Sequence, residues 1–278
     1  MKINCIEIAN KIQNELVKEI EQLKKENIIP KLVIFKNNED KASDRYVNFK
    51  LKKAEELKIQ TVVYNDYQTQ DELINQIKKA NIDKSIHGYI VQLPLPKGFD
   101  QKKIFEYIDV NKDIDGLSPL SVYRNYNNNN HTFYPKACTA YGIIEIIKSV
   151  YQDISYKNIV IINRSLIVGK PLSCLLINED ATVTMCHSKT KDLKAYTLNA
   201  DIVIVAVGKP NFLTEDMIND NCFLIDAGIN VVDNKVIGDI SNQANLKAKY
   251  FTPVPNGVGK LTVIMIFKNL IDLIKGNK

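Results

Sequence analysis

The sequence has few cysteines and no long apolar run. Its five cysteines are scattered and form no Cys-x-x-Cys pair, so reduced thiols are a simpler interpretation than a disulfide framework or a metal site. No apolar stretch approaches the roughly 20 residues that a transmembrane helix needs, and the first residues do not have the pattern of a signal peptide. We therefore expect a cytoplasmic protein without a bound metal or a membrane partner.

The sequence also lacks a dense cluster of basic residues. The formal net charge is +5, and the lysines are spread along the chain beside acidic residues, as on solvated helix faces. This distribution gives no electrostatic footprint for nucleic acid. A diffuse positive field would still favour an anionic ligand such as a dinucleotide.

The 278 residues, 45% of them hydrophobic, are enough for two modest domains with buried cores. In the first half, Ile12, Leu16, Ile20 and Leu23 recur at helical spacing, and short β-rich runs alternate with further helical stripes. This alternation predicts a parallel sheet with helices on both faces. The predicted strands of this half are 32–35, 59–64 and 89–93.

A second alternating set follows a polar segment at 119–136, which we interpret as a loop or domain boundary. We predict an α/β protein with two α/β domains flanking a cleft, the second a Rossmann-like dinucleotide-binding domain. The first domain would span 1–120, with the C-terminal helix 259–278 packing back on it, and the second would span 138–258. The predicted strands of the second domain are 158–162, 181–184, 202–207 and 223–225.

Tyr46 and Lys50 lie four residues apart in a predicted helix, so they share one face. Each precedes a position of the apolar stripe, which places both at the edge of the buried face. A lysine at such a position can enter a pocket, where loss of solvent lowers its pKa toward the range useful for proton transfer. The same spacing also suits a surface lysine whose stem lies along a core helix.

Two further candidates lie at the ends of predicted elements in the first half. Gln92 lies at the carboxyl end of a predicted parallel strand, and ligands in open α/β sheets bind outside the carboxyl ends of strands. A glutamine satisfied by backbone groups is the alternative. Asp113 and Asp115 precede Gly116 in a loop that is either a simple turn or a source of a carboxylate that accepts hydrogen bonds from a nitrogen heterocycle.

Residues 163–171 join the first strand of the second half to a helix, where a Rossmann phosphate loop belongs. The segment contains Gly169 but no G-x-G-x-x-G pattern. Arg164 can pair with a phosphate, and Ser188 follows the next strand, near the expected adenosine ribose. We therefore expect NADP, recognised through its 2′-phosphate. The alternative is that Ser188 simply belongs to the loop that follows the strand. Residues 252–259 form a Pro- and Gly-rich loop before the last helix.

Taken together, these segments resemble the bifunctional methylenetetrahydrofolate dehydrogenase/methenyltetrahydrofolate cyclohydrolase family. The resemblance covers nearly the whole chain. Each match alone is weak, but their joint order and spacing are specific. The matching segments are SDRYVNFK (43–50), VQLPLP (91–96), KDIDG (112–116), RSLIVGKP (164–171), ATVTMCHS (181–188), DAGI (226–229) and TPVP (252–255).

The resemblance implies an enzyme that oxidises 5,10-methylenetetrahydrofolate with NADP and hydrolyses the product to 10-formyltetrahydrofolate, in one-carbon metabolism and purine biosynthesis. Family members are usually homodimers. Lys50 matches the essential catalytic lysine, and Gln92 matches the glutamine beside it. Tyr46 matches the tyrosine that stacks on the aminobenzoyl ring, and Asp115 the acid that anchors the pterin. The resemblance assigns Asn163, Arg164, Ser165, Ser188, Thr139 and Ile229 to the cofactor, and Tyr46, Gln92, Asp115, Pro255 and Gly257 to the substrate.

Three segments depart from the family pattern. Asn163 replaces the usual glycine before Arg-Ser, and we expect it to preserve the turn because asparagine tolerates left-handed backbone. Ala137 and Ala140 replace two prolines, and Asn256 and Lys260 replace a glycine and a proline before and within the last helix. We expect these changes to affect affinities more than the type of reaction.

Three other functions compete with this interpretation. One is a dehydrogenase with weak or absent cyclohydrolase activity, against which the complete set of four folate-site side chains argues. Another is a folate- or nucleotide-binding protein without turnover, which an activity assay would separate from an enzyme. The third is a nucleic-acid-binding protein, against which the spread of basic residues argues.

Overall fold

The chain folds into alternating helices and strands, so the predicted α/β class is confirmed. A computed structural model describes residues 1–37, 41–127, 133–233 and 235–276, without the side chains of 41–43 and 45. The elements of the first half are α1 (Cys5–Lys25), β1 (Lys31–Phe35), α2 (Lys41–Glu56), β2 (Gln60–Tyr64), α3 (Gln70–Ile82), β3 (Gly88–Val91), α4 (Gln101–Phe105) and α5 (Pro119–Asn127).

The first three strands form a parallel sheet in the order β2-β1-β3. All four residues of β3 are buried, as are the last four of β1, because a parallel sheet is covered by helices on both faces. The chain moves from β1 to one neighbour and then crosses to the other. The carboxyl ends of β1 and β3 therefore form a topological switch point, the usual ligand position in such sheets.

The second half contains a larger sheet. Its elements are α6 (Cys138–Lys148), β4 (Asn158–Ile162), α7 (Gly169–Ile177), β5 (Thr182–Cys186), α8 (Leu193–Thr197), β6 (Ile202–Val205), a 3-10 turn (Glu215–Met217), β7 (Phe223–Asp226), β8 (Asn230–Val232), β9 (Lys235–Ile237), α9 (Asn242–Lys247), β10 (Tyr250–Phe251) and α10 (Val258–Gly276). Five strands pair in parallel in the order β10-β7-β6-β4-β5. The switch point of this sheet lies between the carboxyl ends of β4 and β6.

The chain divides into two compact units. One comprises Met1–Lys11 and Thr139–Thr262, and the other Ile12–Cys138 and Val263–Lys278. The second unit thus includes the C-terminal part of α10, where Lys275 forms an ion pair with Glu19 of α1 at 2.8 Å. The predicted functional domains, 1–120 and 138–258, stay a prediction.

The polar segment predicted as a loop at 119–136 is partly helical, which corrects the prediction. α5 occupies Pro119–Asn127, and proline is well suited to the first turn of a helix because its missing N–H would be unpaired there. The Ser118 hydroxyl also accepts a hydrogen bond from the Ser121 N–H at 3.2 Å, as a helix-capping residue does. Residues 128–132 of the segment lie outside the described residues.

The structure also differs from the prediction at smaller elements. The hairpin of β8 and β9 is antiparallel, and α8, α9 and β10 were not predicted. These elements have between two and six residues, too few for a periodic pattern to be visible in the sequence. Across the described ranges, every helix falls short of the length or the apolar character that a membrane crossing requires.

Candidate active site

The switch point of the smaller sheet holds a hydrogen-bonded pair of side chains. Lys50 lies on α2, which follows β1, and Gln92 comes directly after β3. The Lys50 ammonium donates to Gln92 Oε1 at 2.7 Å, while Gln92 Nε2 donates to the Leu93 carbonyl at 2.7 Å. This second bond orients the carboxamide so that its oxygen faces the lysine. Lys50 is therefore buried rather than on the surface, and Gln92 bonds both to a backbone carbonyl and to Lys50.

Lys50 occupies a nearly dry environment. Only 9% of the residue is exposed, and the same fraction applies to Gln92. Burial lowers the pKa of the Lys50 amine, because the charged form loses its solvation, and the negative charge of nearby Asp115 partly opposes the shift. A lysine whose pKa is lowered in this way can exchange protons with a substrate nearer to neutral pH.

The two acids of the 113–116 loop have different surroundings. Asp113 is 2% exposed and accepts hydrogen bonds from the N–H groups of Leu117 and Ser118, at 3.2 and 2.7 Å. It therefore organises its own loop. Asp115 is half-buried and close enough to Lys50 to influence its charge. Of the two carboxylates, Asp115 is therefore the one that is not committed to the backbone N–H groups of Leu117 and Ser118 and that lies near Lys50.

Two aromatic side chains of α2 remain exposed close to Lys50 in sequence. Tyr46, one helical turn before the lysine, is 42% exposed, and Phe49 is 53% exposed. Large aromatic side chains are usually buried in a hydrophobic core. An exposed ring on the helix that carries the buried lysine is available for stacking with a planar ligand.

Cys138 is a neighbour of this group that the sequence analysis treated only as one of several scattered thiols. Its thiol is buried and donates to the Ile114 carbonyl at 3.2 Å. Burial and the charge of Asp115 raise the pKa of the thiol, while the positive charge of Lys50 opposes them. Cys138 therefore remains a neutral thiol. The signal in the sequence was its place between Ala137 and Ala140, the two alanines that replace family prolines.

At the switch point of the larger sheet, the Asn163 side chain forms hydrogen bonds within the loop after β4. Its Oδ1 accepts from the N–H groups of Ser165 and Gly169 at 2.8 and 3.0 Å, and its Nδ2 donates to the Ala206 carbonyl after β6 at 2.5 Å. The turn is present, as expected, but not through left-handed backbone, since Asn163 is not among the residues with positive φ. The turn is held by side-chain hydrogen bonds that a glycine could not make.

Gly169 begins α7 in close contact with this loop. A Cβ atom at Gly169 would lie 2.2 Å from the Asn163 carbonyl oxygen and 2.8 Å from its Oδ1. Real Cβ atoms do not approach that closely, so glycine allows the β4–α7 loop to close on the start of the helix. A tight loop before a helix is the usual site for the diphosphate of a dinucleotide.

Arg164 and Ser188 follow paired positions of adjacent strands. Ile162 of β4 is in register with Cys186 of β5. Arg164 and Ser188 each come two residues later, so they lie at the same edge of the sheet. Both are exposed. No acidic residue occurs in the CHSK segment that ends β5, and NAD-specific enzymes usually place an acid there. These features fit a cofactor with a 2′-phosphate.

The remaining predicted ligand residues lie in the same unit as this loop. Thr139 is half-buried and accepts a hydrogen bond from Thr262 Oγ1 at 3.3 Å. Ile229 is 47% exposed just after β7. Pro255 is exposed, whereas Gly257 is buried with no room for a Cβ atom, which would lie 2.1 Å from the Pro253 carbonyl.

Asn256, another departure from the family pattern, adopts left-handed backbone. Its φ is +72°, a conformation that asparagine tolerates better than most residues. The residue is exposed. Asn256 thus adopts a conformation that glycine favours, and its polar side chain lies at the surface of the loop.

Two carboxylates shape the loops beyond β6 and β7. Asp239 accepts hydrogen bonds from three successive N–H groups, those of Val207, Gly208 and Lys209, at 2.6, 2.9 and 2.9 Å. Asp226 in turn accepts from the N–H of Asp239 at 3.1 Å. Burial raises the pKa of Asp226 to about 6 despite these donors.

The shift in Asp226 predicts a dependence of stability on pH. Because its pKa is raised on folding, the folded protein binds the proton more tightly, so stability is greatest when Asp226 is protonated and falls as the pH rises from about 4 to 6. The rise in the pKa of Asp226 from 3.8 to about 6 corresponds to about 3 kcal/mol in the free energy of unfolding. Denaturant unfolding from pH 4 to 7 should show wild-type stability falling relative to Asp226→Asn. Parallel curves for the two proteins would contradict the prediction.

Comparison with known proteins identifies the family. The model of the tetrahydrofolate dehydrogenase/cyclohydrolase catalytic domain matches residues 3–115, and that of the family's NAD(P)-binding domain matches residues 137–278. The chain is 58% identical over 276 residues to the bifunctional protein FolD of Malacoplasma penetrans, covering 99% of this chain and 98% of the relative.

Solved structures agree. The bifunctional FolD of Campylobacter jejuni matches with a TM-score of 0.96 and 36% identity over 100% of this chain and 99% of its own. The Trypanosoma brucei enzyme, solved with NADP and an inhibitor, matches with a TM-score of 0.91 and 31% identity over 99% and 97% of the two chains. The predicted family is confirmed: the chain belongs to the tetrahydrofolate dehydrogenase/cyclohydrolase family.

Proposed function

We propose that Lys50, Gln92, Tyr46 and Asp115 form the site at which this enzyme acts on folate. As a member of its family, the chain oxidises 5,10-methylenetetrahydrofolate to the methenyl form with NADP and hydrolyses that product to 10-formyltetrahydrofolate. The observation that carries the assignment is the buried hydrogen bond between Lys50 and Gln92 at a switch point. A buried lysine with a lowered pKa is a suitable proton carrier for the hydrolytic step.

The hydrolytic step needs proton transfers that Lys50 can perform. The oxygen of a water molecule bonds to the methenyl carbon and gives one proton to the neutral Lys50 amine. The bond between that carbon and N5 then breaks, and Lys50 returns its proton to N5 while the second proton of the water passes to solvent. Gln92 Oε1 holds the amine in place through these transfers, since it already accepts its hydrogen bond. Replacing Lys50 by methionine tests the assignment.

The other two residues bind and orient the substrate. Tyr46 presents an exposed ring on the same helix as Lys50, suited to stacking on the aminobenzoyl ring. Asp115 supplies a half-buried carboxylate that can accept hydrogen bonds from the N–H groups of the pterin. We also assign Pro255 and Gly257 to the substrate, as the family resemblance implies.

The cofactor NADP accepts a hydride from the methylene carbon when bound. We assign its binding to Asn163, Arg164, Ser165, Ser188, Thr139 and Ile229. The closed loop of Asn163 and Gly169 supports this assignment, together with the absence of an acid after β5. In this arrangement Arg164 and Ser188 bind the 2′-phosphate, and Asn163 sets the shape of the loop that carries them.

Replacing Arg164 by alanine tests the cofactor assignment. A hydrogen bond to a charged group contributes about 1.5–3 kcal/mol, so KM for NADP should rise about ten- to a hundredfold, while KM for NAD should change little. Steady-state kinetics with each cofactor would measure both values. Lys170→Ala removes an exposed positive charge from the first turn of α7, six residues after Arg164, and should have a much smaller effect. Equal changes for NADP and NAD would show that Arg164 does not bind the 2′-phosphate.

We further propose that the enzyme acts as a cytoplasmic homodimer that does not bind nucleic acid, and that its product serves purine biosynthesis. The family resemblance supports the dimer and the pathway. The five scattered cysteines fit a reducing compartment, and the modest net charge of +5 gives no basis for nucleic-acid binding. Light scattering on the purified protein would give the oligomeric state.

A further inference from the structure

Asn269 is a fully buried polar residue in the middle of the last helix. It has 0% exposure, and Met265 and Leu273, one turn before and after it, are buried apolar residues. Burial of a carboxamide is unfavourable unless its donors and acceptor are paired. A polar residue in this position therefore has partners elsewhere in the fold that account for it.

The shorter hydrogen bonds of Asn269 are to backbone groups of two loop segments, and its Nδ2 also donates to the Cys138 sulfur at 3.5 Å. Its Nδ2 donates to the Ile114 carbonyl at 2.9 Å and to the Lys136 carbonyl at 2.8 Å. Its Oδ1 accepts a weaker hydrogen bond from the Lys136 N–H at 3.4 Å. Both donors of the carboxamide are thus used to join the segment at Ile114 to the segment at Lys136.

Asp115 lies between two points at which these segments are held together. Ile114, just before it, receives the hydrogen bond from Asn269 and a second from the Cys138 thiol at 3.2 Å. Gly116, just after it, has a φ of +69°, and a Cβ atom there would lie 2.4 Å from the Lys136 carbonyl carbon. The backbone on both sides of Asp115 is therefore fixed against residues 136–138.

We propose that Asn269 is a positioning residue that holds the Asp115 loop in the conformation needed to bind folate, an inference that rests on the proposed role of Asp115. Asn269 itself does not touch substrate. Without it, the Ile114 carbonyl loses one of its two donors and the Lys136 carbonyl loses its side-chain donor. The carboxylate of Asp115 is then less well placed for the pterin, so the affinity for folate falls.

The effect should appear as weaker binding of folate and not as a general loss of activity. Asn269→Leu removes the carboxamide but keeps a side chain of similar volume on a buried helix face. Asn269→Ala also removes the carboxamide and adds less apolar surface than leucine does. For both variants, the dissociation constant of tetrahydrofolate, measured by calorimetry, should rise about tenfold. The dissociation constant of NADP should stay at the wild-type value. KM for methylenetetrahydrofolate should rise, with a smaller change in kcat.

Ile271→Val provides a matched control on the same helix. Ile271 is also fully buried, but its side chain is apolar and the substitution removes only one methylene group. It should leave tetrahydrofolate binding unchanged. The proposal is overturned if either folded Asn269 variant binds tetrahydrofolate as tightly as the wild type. It is also overturned if all three variants weaken tetrahydrofolate and NADP to the same extent, since that pattern indicates a general disturbance of the fold.

Asp115→Asn separates this proposal from the proposed function. If Asp115→Asn leaves tetrahydrofolate binding unchanged, the assigned role of Asp115 is wrong, and any effect at Asn269 has another cause. If Asp115→Asn weakens binding and the Asn269 variants do not, only the positioning role is wrong. The account predicts that combining Asn269→Leu with Asp115→Asn weakens binding no more than Asp115→Asn alone, because both act through one carboxylate.

Discussion

Lys50→Met should abolish cyclohydrolase activity while some dehydrogenase activity remains. Methionine keeps the length and apolar volume of the side chain but removes the amine. A general acid/base group contributes about 100- to 10,000-fold to a rate, so hydrolysis of methenyltetrahydrofolate should fall by that factor. Hydride transfer from the methylene carbon needs no proton carrier. Methenyltetrahydrofolate should therefore accumulate during the dehydrogenase reaction.

Lys52→Met is the matched control for this prediction. Lys52 lies on the same helix and is exposed, so both activities should match those of the wild type. Hydrolysis of methenyltetrahydrofolate, supplied directly and followed by its absorbance, would measure the effect without a contribution from NADP. If Lys50→Met hydrolysed this substrate at the wild-type rate, the proton carrier would have to be another residue, despite the buried bond to Gln92.

Gly169→Ala should weaken NADP binding strongly and leave hydrolysis intact. The added methyl group would lie 2.2 Å from the Asn163 carbonyl oxygen, so the loop must move away from the helix and break the bonds of Asn163 Oδ1. Forcing such a shift costs about 1–3 kcal/mol, which corresponds to a roughly 5- to 150-fold increase in the dissociation constant. Fluorescence titration with NADPH would measure it.

Gly276→Ala is the control for Gly169→Ala. Its added methyl group would meet the nearest side-chain atom, Phe133 Cβ, at an ordinary 3.6 Å, so NADPH binding should be unchanged. Cyclohydrolase activity of Gly169→Ala, measured without NADP, should equal that of the wild type. Unchanged NADPH binding in Gly169→Ala would mean that the β4–α7 loop does not hold the cofactor.

Local patterns in the sequence were sufficient to predict the α/β class. The alternation of β-rich runs and helical stripes corresponds to β1–β7, and Gln92 lies at the carboxyl end of β3 as predicted. These features depend on burial within one element, which apolar periodicity reflects directly. The ends of strands were less well predicted; β3 stops at Val91 rather than residue 93, although the Gln92 N–H still donates to the Phe35 carbonyl at 2.9 Å.

Features that depend on hydrogen bonds between distant segments could not be predicted. The hydrogen bond from Asn163 to the Ala206 carbonyl joins the loop after β4 to the segment after β6. The local sequence does not show whether Asn163 forms such a bond or adopts left-handed backbone. The three N–H groups bound by Asp239 likewise come from residues 30 to 32 positions away. Such contacts exist only once the sheets have formed. The pairing of Lys50 with Gln92 could not be predicted either, because it follows from the order of strands in the sheet.

The bifunctional activity is tested most directly by adding methylenetetrahydrofolate and NADP to the purified protein and following the absorbance of NADPH and methenyltetrahydrofolate together. The account predicts that NADPH accumulates while methenyltetrahydrofolate stays low, because the same enzyme hydrolyses it. Equal accumulation of both would indicate a dehydrogenase without cyclohydrolase activity. A protein that binds both compounds but forms no NADPH would contradict the account entirely.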